Sequence, residues 1–199
     1  MLPREALDSL DAYFDLLVKW NSRINLTSLQ LSPLADETVD RLFVEPLAAV
    51  PFFPTESASW FDLGSGGGSP AIPLRVTSGH GVLTMIEAKA RKAAFLREVL
   101  RTLNLPHASV ENARFEDIAH LHRNGAHLVT VRAVRVDATL TEALVSLLGF
   151  EGRLLLFTAS PAPRRIPKFD HLETVQLVKS RNSYLSVYRR VVPRGTELS

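Results

Sequence analysis

The run Trp60-Phe61-Asp62-Leu63-Gly64-Ser65-Gly66-Gly67-Gly68-Ser69-Pro70 sets four glycines directly after an apolar stretch and before a segment of helical pattern. Glycines in that place permit positive φ and remove side chains, so a ligand approaches the backbone closely. Gly64 and Gly66 put the third glycine of a dinucleotide fingerprint at position 69, which is Ser69, so that fingerprint is incomplete. Asp62 stands two residues before Gly64, where a carboxylate repels a pyrophosphate but attracts an ammonium or orders a tight loop. Glu87 follows roughly 20 residues after the glycines, where a carboxylate accepts hydrogen bonds from both ribose hydroxyls. The set favours an adenosyl ligand with a free ribose. S-adenosylmethionine, which carries an ammonium and a sulfonium and no phosphate, suits Asp62 best. The alternative is a structural turn with Asp62 as a cap and Glu87 as a surface acid.

These residues need a frame. Leu7, Leu10, Phe14 and Leu17 recur at steps of three and four and predict an amphipathic helix over 2–18. A second helical stretch runs over 34–50, and Pro51, Pro54 and Ser57 mark a junction at 51–59. We read residues 1–55 as an N-terminal helical subdomain and 56–199 as the main domain. Short apolar runs at 60–63, 82–86, 109–111, 128–131 and 154–157 alternate with helical stretches at 70–78, 89–103, 115–123 and 137–149. That alternation predicts a parallel sheet wound by right-handed crossovers. Runs at 174–178 and 184–188, five residues apart, predict a closing antiparallel hairpin. The expected fold is α/β and Rossmann-like: a mostly parallel seven-stranded sheet with a reversed last strand. Pro70 and Pro73 fit only a first helical turn, which places a helix start near Ser69.

The 199 residues are 46% hydrophobic and 22% charged, with no cysteine and a net charge of +2. Disorder and coiled coil are excluded as the main class, as are disulfides and thiolate metal sites. Apolar runs fall short of a membrane span, and the acidic N-terminus is unlike a signal peptide, so cytoplasmic residence is expected. Residues 1–60 carry 4 Lys+Arg against 9 Asp+Glu, and residues 61–199 carry 19 against 12. A basic body attracts an anionic partner such as RNA, although mixed charge on a solvated surface is the commoner arrangement.

Over residues 10–160 the chain resembles the RsmG (GidB) family of bacterial 16S rRNA guanine-N7 methyltransferases. The resemblance rests on Lys19-Trp20-Asn21 with Asn25-Leu26-Thr27-Ser28, on Asp62 through Gly68 continuing to Pro70-Ala71-Ile72-Pro73-Leu74, and on Glu87 with Lys92-Ala93-Ala94-Phe95-Leu96. Arg114-Phe115-Glu116 and Arg132-Ala133-Val134 complete it. The family implies a Rossmann-like S-adenosylmethionine-dependent methyltransferase fold with N-terminal helices. It implies an enzyme that methylates N7 of a guanosine in the 530 loop of 16S rRNA, in free rRNA or the 30S subunit. By this resemblance Asp62, Gly64, Ser65, Gly66 and Gly68 hold the methionine part of the cofactor and Glu87 the ribose. Arg114, Phe115 and Glu116 border the adenine, and Arg132 stands at the catalytic mouth. Three departures stand out: Leu42 in Arg41-Leu42-Phe43-Val44-Glu45-Pro46 where the family often has histidine, Thr158 where it commonly has lysine, and Ala71 for a glycine.

Guanine N7 has an in-plane lone pair and no proton, so its methylation needs alignment rather than a general base. Arg132 suits guanine O6 or a phosphate through its planar fork, or else a salt bridge at a strand end. Arg132-Ala133-Val134-Arg135 stands where exocyclic-amine methyltransferases carry Asp/Asn-Pro-Pro-Tyr/Phe, which argues against amine chemistry. Trp60 and Phe61 read as buried strand aromatics, and His120 and His122 as surface histidines; no metal is expected. RNA contacts are expected from Lys19, Arg23, Arg135, Arg164, Arg165 and Lys168, with Arg91 and Lys92 as further candidates. A monomer is expected. The rival readings are a methyltransferase for another substrate and a non-catalytic cofactor- or RNA-binding module.

Overall fold

A computed structural model describes residues 2–53, 58–79 and 81–191. The chain opens with α1 (Arg4–Asn21) and continues through one bent helical run: α2 (Asp36–Val39), a π-helical turn (Asp40–Val44), α3 (Glu45–Ala49) and a 3₁₀ turn (Val50–Phe52). The remainder alternates β1 (Ser59–Leu63), α4 (Ala71–Ser78), β2 (Val82–Ile86), α5 (Ala90–Thr102), β3 (Ala108–Glu111), α6 (Phe115–Leu121), β4 (Ala126–Arg132), α7 (Ala138–Leu147) and β5 (Leu148–Thr158). It closes with β6 (Phe169–Gln176) and β7 (Tyr184–Arg190). Part of the expected junction, residues 54–57, lies outside the described residues.

The sheet order is β3-β2-β1-β4-β5-β7-β6, with β1 to β5 parallel and β7 antiparallel to both its neighbours. Central strands read as continuous apolar runs because both faces are covered. In β5, Leu155 and Phe157 face a core shared with α1, α4 and α5, whereas Leu154 and Leu156 face a second core shared with α6 and α7. The N-terminal helices thus bury their apolar faces in the first of these cores. Trp60 and Phe61 are buried, as expected, on opposite faces.

Three boundaries or faces differ from the expectation. The buried stripe of α1 is Ala6, Leu10, Tyr13 and Leu17, while Leu7 is 47% exposed. Both stripes satisfy helical spacing, and the choice falls to the one whose tyrosine reaches a partner across the core. β6 starts at Phe169 rather than 174, because a solvent-facing edge strand is held by pairing with β7 and shows no apolar alternation. β5 starts at Leu148, immediately after α7, with a register shift opposite Ala126 and Leu128.

The π turn has a local cause. Pro46 has no N–H to donate to Leu42 and its ring crowds that carbonyl. The chain widens just before it, so that the Glu45 amide reaches back to Asp40. The carbonyls of Arg41 and Leu42 are left open to other partners, and both are taken up at the site.

Candidate functional site

The glycine loop leaves β1 at the carboxyl edge of the sheet, between β1 and β4 where the winding reverses direction; open α/β sheets bind ligands in that crevice. Gly64, Gly66 and Gly68 have φ of +75°, +53° and +92°. Their reasons differ. A Cβ on Gly64 would stand 2.8 Å from Val134 Cγ2, and one on Gly68 would press on Ile72, Leu96 and Tyr13 at 3.0–3.3 Å. At Gly66 the nearest atom would be 3.7 Å away, so only the backbone conformation demands glycine there. The amides of Gly64 and Ser65 donate to the Ile86 carbonyl at 2.9 and 3.1 Å, and Gly68 N donates to Ser65 O at 2.7 Å. From the core side the Tyr13 hydroxyl donates to Gly67 O at 2.6 Å, and burial pushes that phenol well above its ordinary pKa.

The two acids have separate places. Glu87, 7% exposed at the end of β2, accepts from Gly66 N through Oε2 at 2.9 Å and from Lys89 N through Oε1 at 2.8 Å. Asn112 donates to the carbonyls of Glu87 and Ala88 and fixes the chain behind it. Asp62 lies beneath the loop and does not line the cleft. It is 1% exposed, accepts from Thr130 Oγ1 at 2.5 Å, and Thr130 in turn accepts from Trp60 Nε1 at 3.0 Å. Burial raises the Asp62 pKa, with hydrogen bonds from Ser65 and Thr130 and the charge of Arg132 opposing the rise.

Two cavities meet at Gly64 and Glu87. One, about 370 Å³, is lined by Ser65, Gly66 and Gly67, by Leu17 and Leu26 of the N-terminal segment, and by Arg41 and Arg132. The other, about 270 Å³, is lined by Ala88, Ala113, Arg114, Phe115 and Glu116. The expected residues 64–66, 87, 114–116 and 132 therefore border one bipartite cleft, Gly68 supports it from the core side, and Asp62 supports it from below.

Arg132 ends β4 and is held by the protein through both terminal nitrogens, while its buried Nε has no hydrogen-bond partner. Its Nη1 donates to Arg41 O at 2.6 Å and to Ser69 Oγ at 3.1 Å, its Nη2 donates to Glu45 at 2.7 Å, and the guanidinium lies 4.4 Å over the Phe157 ring. Burial lowers its pKa to about 10, against the opposing effect of Glu45. Ser69 Oγ lies 3.3 and 3.2 Å from the Arg41 and Leu42 carbonyls. The carbonyls freed by Pro46 and the π turn thus tie the N-terminal segment to the glycine loop and to β4. Arg41 itself is a third exposed, lines the cleft, and approaches Glu45 Oε1 at 3.6 Å.

Sequence reasoning missed Tyr13, Glu45, Ser69 and Thr130. Glu45 carried a signal, being an acid on a helical run that otherwise buries apolar side chains; Thr130 carried none. The motif Lys19-Trp20-Asn21 is chiefly architectural: Asn21 Oδ1 accepts the Leu26 and Thr27 amides at 2.9 and 3.0 Å, and Trp20 Nε1 donates to Glu98 at 3.1 Å. Lys19, Arg23, Arg91, Arg135, Arg164, Arg165 and Lys168 are exposed, and Lys92 lines the cleft. The structure does not gather them in one place: Lys92 is in the lining of the cleft, whereas Arg165 and Lys168 border a separate groove. Thr158 accepts the Ser160 amide. His120 and His122 are exposed, and among the described residues no cluster of three metal-ligating side chains occurs. Among them also, no helix is long and apolar enough to cross a membrane.

In fold the chain is similar to an S-adenosylmethionine-dependent methyltransferase from Aquifex aeolicus, with a TM-score of 0.61 at 16% identity over 81% of this chain and 96% of that one. It is similar likewise to a mutant of MtNAS in complex with S-adenosylmethionine, with a TM-score of 0.63 at 16% identity over 95% and 73%. In sequence it is 37% identical over 106 residues to the Ribosomal RNA small subunit methyltransferase G of Pseudomonas entomophila (strain L48), covering 53% of this chain and 48% of that protein. The protein of the same name from Roseiflexus sp. (strain RS-1) is 33% identical over 158 residues, 77% of this chain and 65% of that one. The chain spans about half the length of the first curated relatives it matches. The family model described as rRNA small subunit methyltransferase G matches residues 6–188, and the chain belongs to that family, GidB.

Proposed function

We propose that the bipartite cleft binds S-adenosylmethionine and that the chain transfers its methyl group to N7 of a guanine in the 530 loop of 16S rRNA. The observation that carries the reading is the meeting of two cavities at Gly64 and Glu87, on the edge of the sheet where a Rossmann-like fold takes an adenosyl ligand. The residues fit that ligand. A carboxylate offers about four acceptor sites, so Glu87 can hold the Gly66 and Lys89 amides and still receive two ribose hydroxyls. Arg114, Phe115 and Glu116 would border the adenine, with Phe115 half-buried as a face for stacking. The loop 64–68 would receive the methionine part. Asp62 acts from beneath, by shaping the loop and lending it negative charge rather than by touching an ammonium.

When bound, the cofactor supplies a methyl group made electrophilic by its sulfonium. Guanine N7 attacks with an existing lone pair, so no residue needs to take a proton, and neither cavity lining includes a histidine among the described residues. The protein's task is alignment, which supplies roughly 7–11 kcal/mol when the geometry is held. Arg132 serves it as a positioning residue, since its two terminal nitrogens are held by Arg41, Ser69 and Glu45. Arg41, with its guanidinium partly open to the cleft, is the cation placed to meet guanine O6 or a phosphate. Lys19, Arg23 and Arg135 would hold RNA near the mouth.

Tritium transfer from S-adenosylmethionine to undermethylated 30S subunits or 16S rRNA tests the reading. Transfer is expected, and Gly64→Arg should abolish it. Cofactor binding without transfer to either substrate would instead support an enzyme for another substrate or a non-catalytic module.

A further inference from the structure

A cavity of about 830 Å³ lies away from the cofactor cleft, between α6, α7 and the connection from β5 to β6. That connection, 159–168, contains no helix, so the face of α7 beside it is left as an open groove. The connection is nevertheless fixed. Ile166 is 2% exposed in the second core, the Arg164 amide donates to the Tyr188 hydroxyl, and that hydroxyl donates back to Arg164 O, both at 3.0 Å. With Ile166 anchored inward, Arg165 and Lys168 on either side of it are presented to the groove.

Two features point to an anionic occupant. Lys168 holds φ of +66°, a conformation that a lysine adopts only at a cost and that glycine would take freely. Arg190 lies at the groove with its guanidinium on Asn124 and the Leu148 carbonyl and 4.6 Å over Phe150, so its partners here are neutral. Arg123 adds a fourth cation. Against these stand Glu142, exposed, and Asp137, whose carboxylate is occupied in capping α7 at Leu140 N. The groove begins at Val136 and Asp137, three residues beyond Ala133 of the cofactor cleft, with exposed Arg135 between them.

We propose that this groove is a phosphate-backbone site: it grips the RNA strand flanking the target base, through Arg165, Lys168, Arg123 and Arg190. The proposal rests on the reading of the chain as an RNA methyltransferase and adds a second contact to it. Each phosphate neutralised releases counterions, so the salt dependence of binding counts the contacts.

The test is fluorescence anisotropy of a labelled 530-loop RNA with both flanking strands, titrated at several salt concentrations. Arg165→Ala with Lys168→Ala should weaken binding by about tenfold and make the slope of log K against log salt shallower by about two. Lys168→Gly separates folding from binding: it should raise Tm by relieving the left-handed backbone while still weakening RNA binding. Calorimetric binding of S-adenosylhomocysteine should be unchanged in both. If wild type binds and methylates the RNA and the variants keep its slope, the groove proposal is overturned alone. If the variants lose binding to a poly-glutamate peptide but not to RNA, the groove belongs to a protein partner and the proposal is overturned. If wild type neither binds nor methylates the RNA, the functional reading falls, and the groove proposal with it.

Discussion

An arginine on the central strand β4 and one on β7, beside the edge strand, make carboxylate pairs of the same chemistry and opposite consequence. Arg132 meets Glu45 at 2.7 Å where the side chains are 16% and 1% exposed; Arg189 meets Glu151 at 3.3 Å and Asp170 at 3.8 Å where all three are about half exposed. Charges removed from water lose solvation that a pair must replace, and removing one partner then strands the other. Charges left in water interact weakly and are screened. The Arg132 cluster therefore dictates where the N-terminal segment sits against the glycine loop, and the Arg189 cluster decorates an edge.

The strongest way to break that contrast is Glu45→Ala, which leaves the Arg132 guanidinium buried without its carboxylate. Urea unfolding should show a loss of about 3–5 kcal/mol. A loss below about 1 kcal/mol would place Arg132 in the class of Arg189. Gly64→Ala comes next, since it forces a Cβ into Val134 at a left-handed backbone position. It should cost about 1–3 kcal/mol in stability and weaken cofactor binding, both read by calorimetry. Tyr13→Phe removes only the hydroxyl that holds Gly67 O and should cost about 1 kcal/mol. Arg189→Ala should fall within about 0.5 kcal/mol of wild type.

Asp62 sharpens the comparison through pH. Its folded pKa is raised above the ordinary 3.8 by burial. An acid raised on folding is bound to its proton more tightly in the native state, so its contribution is fully present below the unfolded pKa and is lost as pH rises through the folded value. Urea midpoints measured upward from pH 4 should decline less in Asp62→Asn than in wild type.

The sheet was legible because its signals are local. Leu154–Phe157 of β5 is a continuous apolar run, and Gly64 to Gly68 mark the turn that follows β1 by residue type alone. The bipartite cleft was legible for a related reason: Glu87 sits at the end of a strand adjacent to that turn, and its distance along the chain encodes the pairing of β1 with β2. What escaped was set by contacts between distant segments. Tyr13 and Gly67 are 54 residues apart, Arg132 and Glu45 are 87 apart, and Asp62 and Thr130 are 68 apart. Arg132 was assigned to the catalytic mouth by its place after β4, and it lines the larger of the two cavities there. The salt bridge that the sequence offered as the other reading of Arg132 is made with Glu45, and the open Arg41 carbonyl that also holds it arises from Pro46, a residue noted in the sequence only as part of a departure from the family pattern.

Loop 64–68 and Glu87 are proposed to form the seat of an adenosyl ligand lacking phosphate. Isothermal titration of the protein with S-adenosylhomocysteine, beside NAD, measures it directly. Saturable heat is expected at micromolar S-adenosylhomocysteine, lost in Glu87→Ala, and none with NAD. Heat with NAD alone, or S-adenosylhomocysteine binding indifferent to Glu87→Ala, would contradict it.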